Sequence, residues 1–121
     1  MYVRIAALTV VALLIATPGP ARGDRFGAIA YSVRTERYGY ASDARSRGDA
    51  EARALRECRA GDCVIKVWFR NSCGALATGD EGRITGWAYN NSLDEAKERA
   101  LRECRAHGGH RCGIRAWACT P

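Results

Sequence analysis

The chain contains one pattern twice, and this internal repeat limits its possible folds more than any other feature. The segment Ala-Leu-Arg-Glu-Cys-Arg-Ala at 54–60 recurs letter for letter at 100–106, and Gly-Ala-Ile-Ala at 27–30 recurs as Gly-Ala-Leu-Ala at 74–77. A period of about 46–47 residues is long enough for one supersecondary unit per repeat. We therefore expect one domain built from two equivalent units.

Each unit is predicted to contain two strands, a helix and a third strand. Ser46 and Ser92 hold equivalent positions in the repeat, and each precedes an acidic residue by three positions, as a helix N-cap does. Small apolar side chains then recur at helical spacing, at Ala50, Ala54, Cys58, Ala96, Ala100 and Cys104. Such a helix can lie close to a sheet. We predict an α+β fold of two tandem ββαβ repeats, at about 26–73 and 74–119, with both helices packed on one face of an antiparallel sheet.

Residues 1–23 have the pattern of a secretory signal peptide. Arg4 precedes an apolar run from Ile5 to Ala16, which at about 12 residues is short for a membrane-spanning helix. We expect cleavage between 21 and 23, with an uncleaved membrane anchor as the alternative. Cleavage leaves residues 24–121 as a single domain with no stable membrane insertion.

Export determines how the composition is interpreted. Removing Arg4 and Arg22 with the signal peptide lowers the net charge from +6 to +4, which is too mild an excess to predict nucleic acid as a partner. The mature chain is expected in the periplasm or outside the cell. In that oxidising environment the six cysteines are predicted to form disulfides rather than a zinc site.

The repeat also predicts how the cysteines pair. Equivalent positions should pair in the same way, so the cysteine that ends each helix is expected to bond the cysteine that opens the next strand. The two that remain would then form a clasp between the units. The predicted disulfides are Cys58–Cys63, Cys104–Cys112 and Cys73–Cys119.

A metal site is the alternative use of the cysteines and histidines in the second unit. Cys104, His107, His110 and Cys112 would give a cramped C-x2-H-x2-H-x-C ligand set, and the first unit has no histidine. A glycine-rich loop that lengthens the turn between helix and strand is the simpler interpretation. No metal and no other cofactor are expected.

Candidates for catalysis are few. Asp80 and Glu81 form a pair of carboxylates in Gly-Asp-Glu-Gly, for which a hairpin turn is the simpler interpretation. If all cysteines are in disulfides, no thiol remains as a nucleophile. An enzyme built on this chain would therefore have to use Asp80, Glu81 or His107.

Basic and aromatic residues alternate on the last strand of each unit and suggest a binding surface. If the helices cover one face of the sheet, the opposite face would be a platform on which a protein, a glycan or single-stranded nucleic acid could bind. Alternatively, Trp68 and Trp117 pack together in a second core. The candidate binding residues are Lys66, Trp68, Arg70, Trp87, Arg115 and Trp117, with Tyr38 and Tyr40 as possible neighbours.

Several of these motifs together resemble one bacterial family. They are Gly-Ala-Ile-Ala-Tyr-Ser at 27–32, the A-L-x-x-C helix end, the C-x4-C step, W-F-x-N-x-C-G-A-L-A at 68–77 and the closing Trp-Ala-Cys at 117–119. The resemblance is to the domain-of-unknown-function family numbered 4189 and covers nearly the whole mature chain. It implies export and a fold held by disulfides, and it implies no particular activity.

We expect a small exported non-catalytic domain that binds a protein partner, either as an inhibitor-like or immunity-like protein or as a secreted factor. Two alternatives come from other functional classes. One is an enzyme that acts on envelope polymers, and the other is a glycan-binding module.

Overall fold

The computed structural model describes residues 2–15 and 23–121. Residues 21 and 22 of the predicted cleavage region at 21–23 lie outside the described residues. None of the helices formed by the described residues has the length and apolar character needed to cross a membrane.

The described chain folds into two ββαβ units, and the predicted α+β class is confirmed. The first unit consists of β1 (Phe26–Tyr31), β2 (Tyr38–Ala44), α1 (Arg47–Cys58) and β3 (Val64–Arg70). The second unit consists of β4 (Cys73–Gly79), β5 (Ile84–Asn90), α2 (Leu93–Ala106) and β6 (Gly113–Cys119). Both helices begin at the predicted caps. Ser46 Oγ accepts the Asp49 amide proton at 3.1 Å, and Ser92 Oγ accepts that of Glu95 at 3.3 Å.

The six strands form two antiparallel sheets of three strands each, in the orders β2-β1-β3 and β5-β4-β6. The sheets pack face to face, α1 lies on the outer face of the first, and α2 lies on the outer face of the second. A single sheet covered on one face was expected. The central strands need cover on both faces, because Ala28 and Ala30 face α1 while Ile29 and Tyr31 face the other sheet.

The contact between each helix and its sheet is close because glycine lies beneath it. A Cβ added to Gly39 would overlap the main chain of α1 at Ala54 and Cys58. One added to Gly86 would overlap α2 at the equivalent residues. The alanine stripe of each helix is fully buried on this glycine-containing surface.

The core between the sheets joins the two units. Its buried side chains are Ile29, Tyr31, Val67, Phe69, Leu76, Ala116 and Ala118. The buried Tyr31 hydroxyl donates a hydrogen bond to the Gly82 carbonyl oxygen at 2.7 Å, so the first strand of one unit is tied to the hairpin turn of the other.

Three disulfides are present, Cys58–Cys63, Cys104–Cys112 and Cys73–Cys119, and these are the pairs that the repeat predicts. The third has a different role from the one expected. Cys73 begins β4 and Cys119 ends β6, and the two lie opposite each other in the β4–β6 ladder. This bond therefore closes the second sheet, whereas the units are joined by the packed sheets.

Candidate functional site

The structure does not bring the six candidate binding residues onto one face. The face of each sheet opposite its helix is buried against the other sheet, so the expected open platform does not exist there. Trp68 lies opposite Ala28 on the α1 side of the first sheet, and Trp117 lies opposite Ala75 on the α2 side of the second. The two tryptophans are therefore on opposite outer sides of the molecule, and they do not pack together as the alternative supposed.

A β-bulge in each last strand explains why the predicted alternation fails. Val67 pairs with Ile29 and Ile65 pairs with Ala30, which leaves Lys66 as the extra residue. Ile65 therefore packs on the α1 side, whereas Val67 faces the other sheet. Arg115 is the extra residue at the equivalent position in β6.

Trp68 and Trp117 each have a cationic side chain of the neighbouring helix packed against the ring. The Arg47 guanidinium lies 4.2 Å from the Trp68 ring centroid, and the Lys97 ammonium lies 4.9 Å from that of Trp117. Trp68 is 38% exposed and Trp117 is 48% exposed. Arg47 and Lys97 were not among the predicted site residues, since only the fold places the start of each helix beside the last strand.

Lys66 and Trp87 are the two candidates that the structure does bring together. They lie where β3 of the first sheet faces β5 of the second, with the Lys66 ammonium 5.2 Å from the Trp87 ring centroid. The other two candidates are held in ion pairs. Arg115 Nη2 lies 3.0 Å from Glu36 Oε1, and Arg70 Nη1 lies 3.6 Å from Asp24 Oδ2.

His107 covers the exposed edge of β5. Its Nδ1 lies 2.6 Å from the Thr85 carbonyl oxygen, so this nitrogen carries the proton and donates it. Its ring is 5.6 Å from that of Trp87. The sequence shows that histidine occurs only in the longer loop of the second unit. It does not show that His107 binds the Thr85 carbonyl oxygen, because the two residues are brought together by the fold.

Asp80 and Glu81 occupy the turn between β4 and β5, with positive φ angles of 50° and 57°. Asp80 Oδ1 accepts a hydrogen bond from the His110 amide at 3.3 Å, and the Asp80 amide donates to the His110 carbonyl oxygen. Asp80 therefore connects the hairpin turn to the loop after α2. Within 2–15 and 23–121, no three His, Cys, Asp or Glu side chains converge on a point where a metal ion could bind.

Among the described residues, the pKa values of two titratable groups, Tyr31 and Asp62, are shifted, and both groups lie in contacts between segments. Burial raises the pKa of Tyr31, Arg115 lowers it, and Glu36 raises it further. The Ser32 hydroxyl, which donates to Asp62 Oδ1 at 2.8 Å, holds the pKa of that carboxyl below its ordinary value, and Arg34 acts in the same direction.

Comparison with known proteins relates the chain to mycobacterial proteins. It is 34% identical over 99 residues to the proteins Rv1269c of Mycobacterium tuberculosis and Mb1300c of Mycobacterium bovis, a match that covers 80% of this chain and 71% of theirs. The structure is similar to the NMR structure of Rv1813c from Mycobacterium tuberculosis, with a TM-score of 0.57 at 27% identity, covering 98% of this chain and 96% of that one.

The model of one protein family matches residues 26–119, which include both units and all three disulfides. The family's description, a domain of unknown function, is the one that the sequence motifs suggested. The chain belongs to the DUF4189 family.

Proposed function

We propose that this chain is a small exported non-catalytic domain that binds a protein partner. The observation that carries the proposal is that a disulfide-bonded scaffold holds several large aromatic side chains partly exposed to solvent. Their exposed fractions run from 37% to 61%, and they are Tyr38, Tyr40, Trp68, Trp87, Tyr89 and Trp117. Tyrosine, tryptophan and arginine are the residues that contribute most to protein–protein binding.

The engagement of reactive groups supports a non-catalytic role. All six cysteines are in disulfides, so no thiolate is available as a nucleophile. His107 donates its Nδ1 proton to a main-chain carbonyl, and Asp80 accepts from the His110 amide. These are the contacts expected of groups that shape loops.

The disulfides and the apolar N-terminal segment support export. Disulfides persist in the periplasm and outside the cell, and they are consistent with that location here. A protein partner is favoured over a glycan because each tryptophan already has a cation against its ring. Both an inhibitor-like or immunity-like protein and a secreted factor would need such a partner.

Photo-cross-linking in the native host tests the proposal. A benzophenone amino acid replaces Tyr40 or Trp117 in separate variants, and Glu98, an exposed residue on α2, is the control position. The expected result is a discrete adduct with one protein at an aromatic position and none at Glu98. If neither aromatic position gives a protein adduct, the proposal is wrong. Release of soluble fragments from purified cell wall, abolished by Glu81→Gln, would instead favour an enzyme.

A further inference from the structure

The strand β2 has an open edge whose main-chain groups point away from the rest of its sheet. The Ser32 amide donates to the Arg37 carbonyl oxygen at 2.9 Å, so Ser32 and Arg37 are a hydrogen-bonded pair of the β1–β2 hairpin. Residues alternate between paired and outward positions in an antiparallel ladder. The N–H and C=O groups of Tyr38 and Tyr40 therefore point outward, in the direction where another strand would bind.

The equivalent edge in the second unit is β5, and it is covered. Thr85 and Trp87 hold the positions that Tyr38 and Tyr40 hold in the first unit, and His107 donates to the Thr85 carbonyl oxygen. Among the described residues, no side chain donates to the main-chain oxygen of Tyr38 or Tyr40. A protein commonly protects an exposed strand edge. At β2 the Arg53 guanidinium donates to the Ser42 carbonyl oxygen at 3.4 Å, and the edge at Tyr38 and Tyr40 has no equivalent of the His107 contact.

Among the described residues around β2, Arg37, Arg53 and Glu57 have no ion-pair partner, which leaves a small excess of positive charge. A groove of about 330 Å³ between β2 and α1 is lined by Tyr38, Tyr40 and Arg53, with Glu57 as its one acid. A second copy of this chain docked edge to edge would place the same arginines against each other, so the charge favours an acidic partner.

We propose that the β2 edge binds an extended acidic segment of the protein partner, which adds to the first sheet as a fourth strand. This inference rests on the proposed function and specifies its partner. The segment's main chain would pair with Tyr38 and Tyr40. Its alternate side chains would face Arg53 on the α1 side and the two tyrosine rings on the other side, so an alternation of acidic and apolar residues fits best.

Hydrogen exchange measured by NMR tests the main-chain pairing. The probe is a capped octapeptide of alternating Glu and Val, added up to millimolar concentration to the oxidised protein. Exchange of the Tyr38 and Tyr40 amides should slow by about tenfold or more, while that of Thr85 and Trp87 should not change. The matching Lys and Val peptide should have no effect. If the acidic peptide protects neither amide, or protects β5 equally, the inference is wrong.

A matched pair of charge reversals tests the role of Arg53. Arg53 and Arg99 hold equivalent positions on α1 and α2, and both lie between acidic residues four positions away. Arg53→Glu should weaken binding of the acidic peptide by about tenfold, and Arg99→Glu should leave it unchanged. Equal effects of the two substitutions would mean that the peptide responds to net charge alone, and would overturn the assignment.

A proline substitution tests the edge without changing its charge. Tyr40→Pro removes an outward N–H and leaves the ladder to β1 intact, so it should abolish peptide binding while the near-UV circular dichroism is retained. Should the protein instead protect β2 by forming a dimer, sedimentation would show it, and the edge would belong to a second copy. A different result would separate the two proposals. If a protein is cross-linked at Trp117 but not at Tyr40, and the acidic peptide does not bind, the proposed function is supported and the β2 site is refuted.

Discussion

The two units share their strand order, helix cap and helix-end disulfide, yet they differ at the outer strand. His107 covers β5, whereas Tyr38 and Tyr40 leave β2 open at the equivalent positions. The difference has a simple origin in the loop between helix and last strand. The bonded cysteines are 5 residues apart in the first unit and 8 apart in the second, and the longer loop carries the histidine.

This contrast separates the residues that maintain the fold from those free to diverge. Gly39 and Gly86 are the same in both units because a helix backbone lies directly on each of them. The loops lie in solvent, where length and composition can change at little cost. We therefore expect stability to depend on the features that the units share, and binding to depend on the edge at which they differ.

The largest predicted effect concerns the one disulfide that has no counterpart in the other unit. Cys73–Cys119 closes a loop of 46 residues, and replacing both cysteines by alanine should lower the free energy of unfolding by about 4 kcal/mol. Removing Cys58–Cys63 or Cys104–Cys112 should cost about 2 kcal/mol each, since their loops are short. Urea unfolding of the three variants measures the order. Equal losses would show that chain entropy does not set these contributions.

The second prediction tests whether the helix contacts are equivalent. Gly39→Ala and Gly86→Ala should each destabilise the protein by about 1–3 kcal/mol, because the new methyl group overlaps the helix main chain. Gly48→Ala is the control, since a Cβ there has open space. Thermal unfolding should give similar losses for the two buried sites. A loss at only one of them would mean that the two helix–sheet contacts differ in rigidity.

The repeat allowed most of the fold to be predicted, because it fixed the order of elements, the caps and the disulfide pairs. The separation into two sheets could not be predicted with the same ease. The only indication of two packed sheets was the run of mostly apolar residues along β4. The same run is expected of a central strand in a single sheet that is covered on both faces.

The candidate site was harder to predict because two bulges change which side chains share a face. Lys66 and Arg115 are each an extra residue in the ladder, so Ile65 turns toward α1 while Val67 faces the other sheet. A one-residue shift reverses the face of every side chain beyond it. Trp68 still alternates with Val67 and Phe69, but those two residues face the other sheet rather than the helix, so Trp68 lies on the α1 side.

The third prediction attempts to make the covered edge resemble the open one. His107→Ala removes the bond to Thr85 and should cost about 1 kcal/mol of stability. The amide proton of Thr85 should then exchange faster with solvent. The Trp87 fluorescence should also change, because the neighbouring His107 ring is lost. His110→Ala, in the same loop, should leave the Trp87 fluorescence unchanged. If β5 stays protected without His107, another feature covers that edge.

The smallest predicted effect concerns how the shorter loop of the first unit is held. Asp62 in that loop accepts a hydrogen bond from the Ser32 hydroxyl, which together with Arg34 keeps the pKa of the carboxyl below its ordinary value. A lowered pKa in the folded state means that the ionised form stabilises the fold above the unfolded pKa of about 3.9, and that this contribution is lost as the pH falls through the lower folded value.

Asp62→Asn should therefore be less stable than the wild type at neutral pH, and the two should converge as the pH falls below about 4. Ser32→Ala keeps the carboxylate but removes its main hydrogen-bond donor, so its stability should depend less on pH over the same range. Urea unfolding at a series of pH values measures both. A difference between Asp62→Asn and the wild type that stays constant with pH would show that the contact acts by packing, and that the first unit's loop is held without help from its charge.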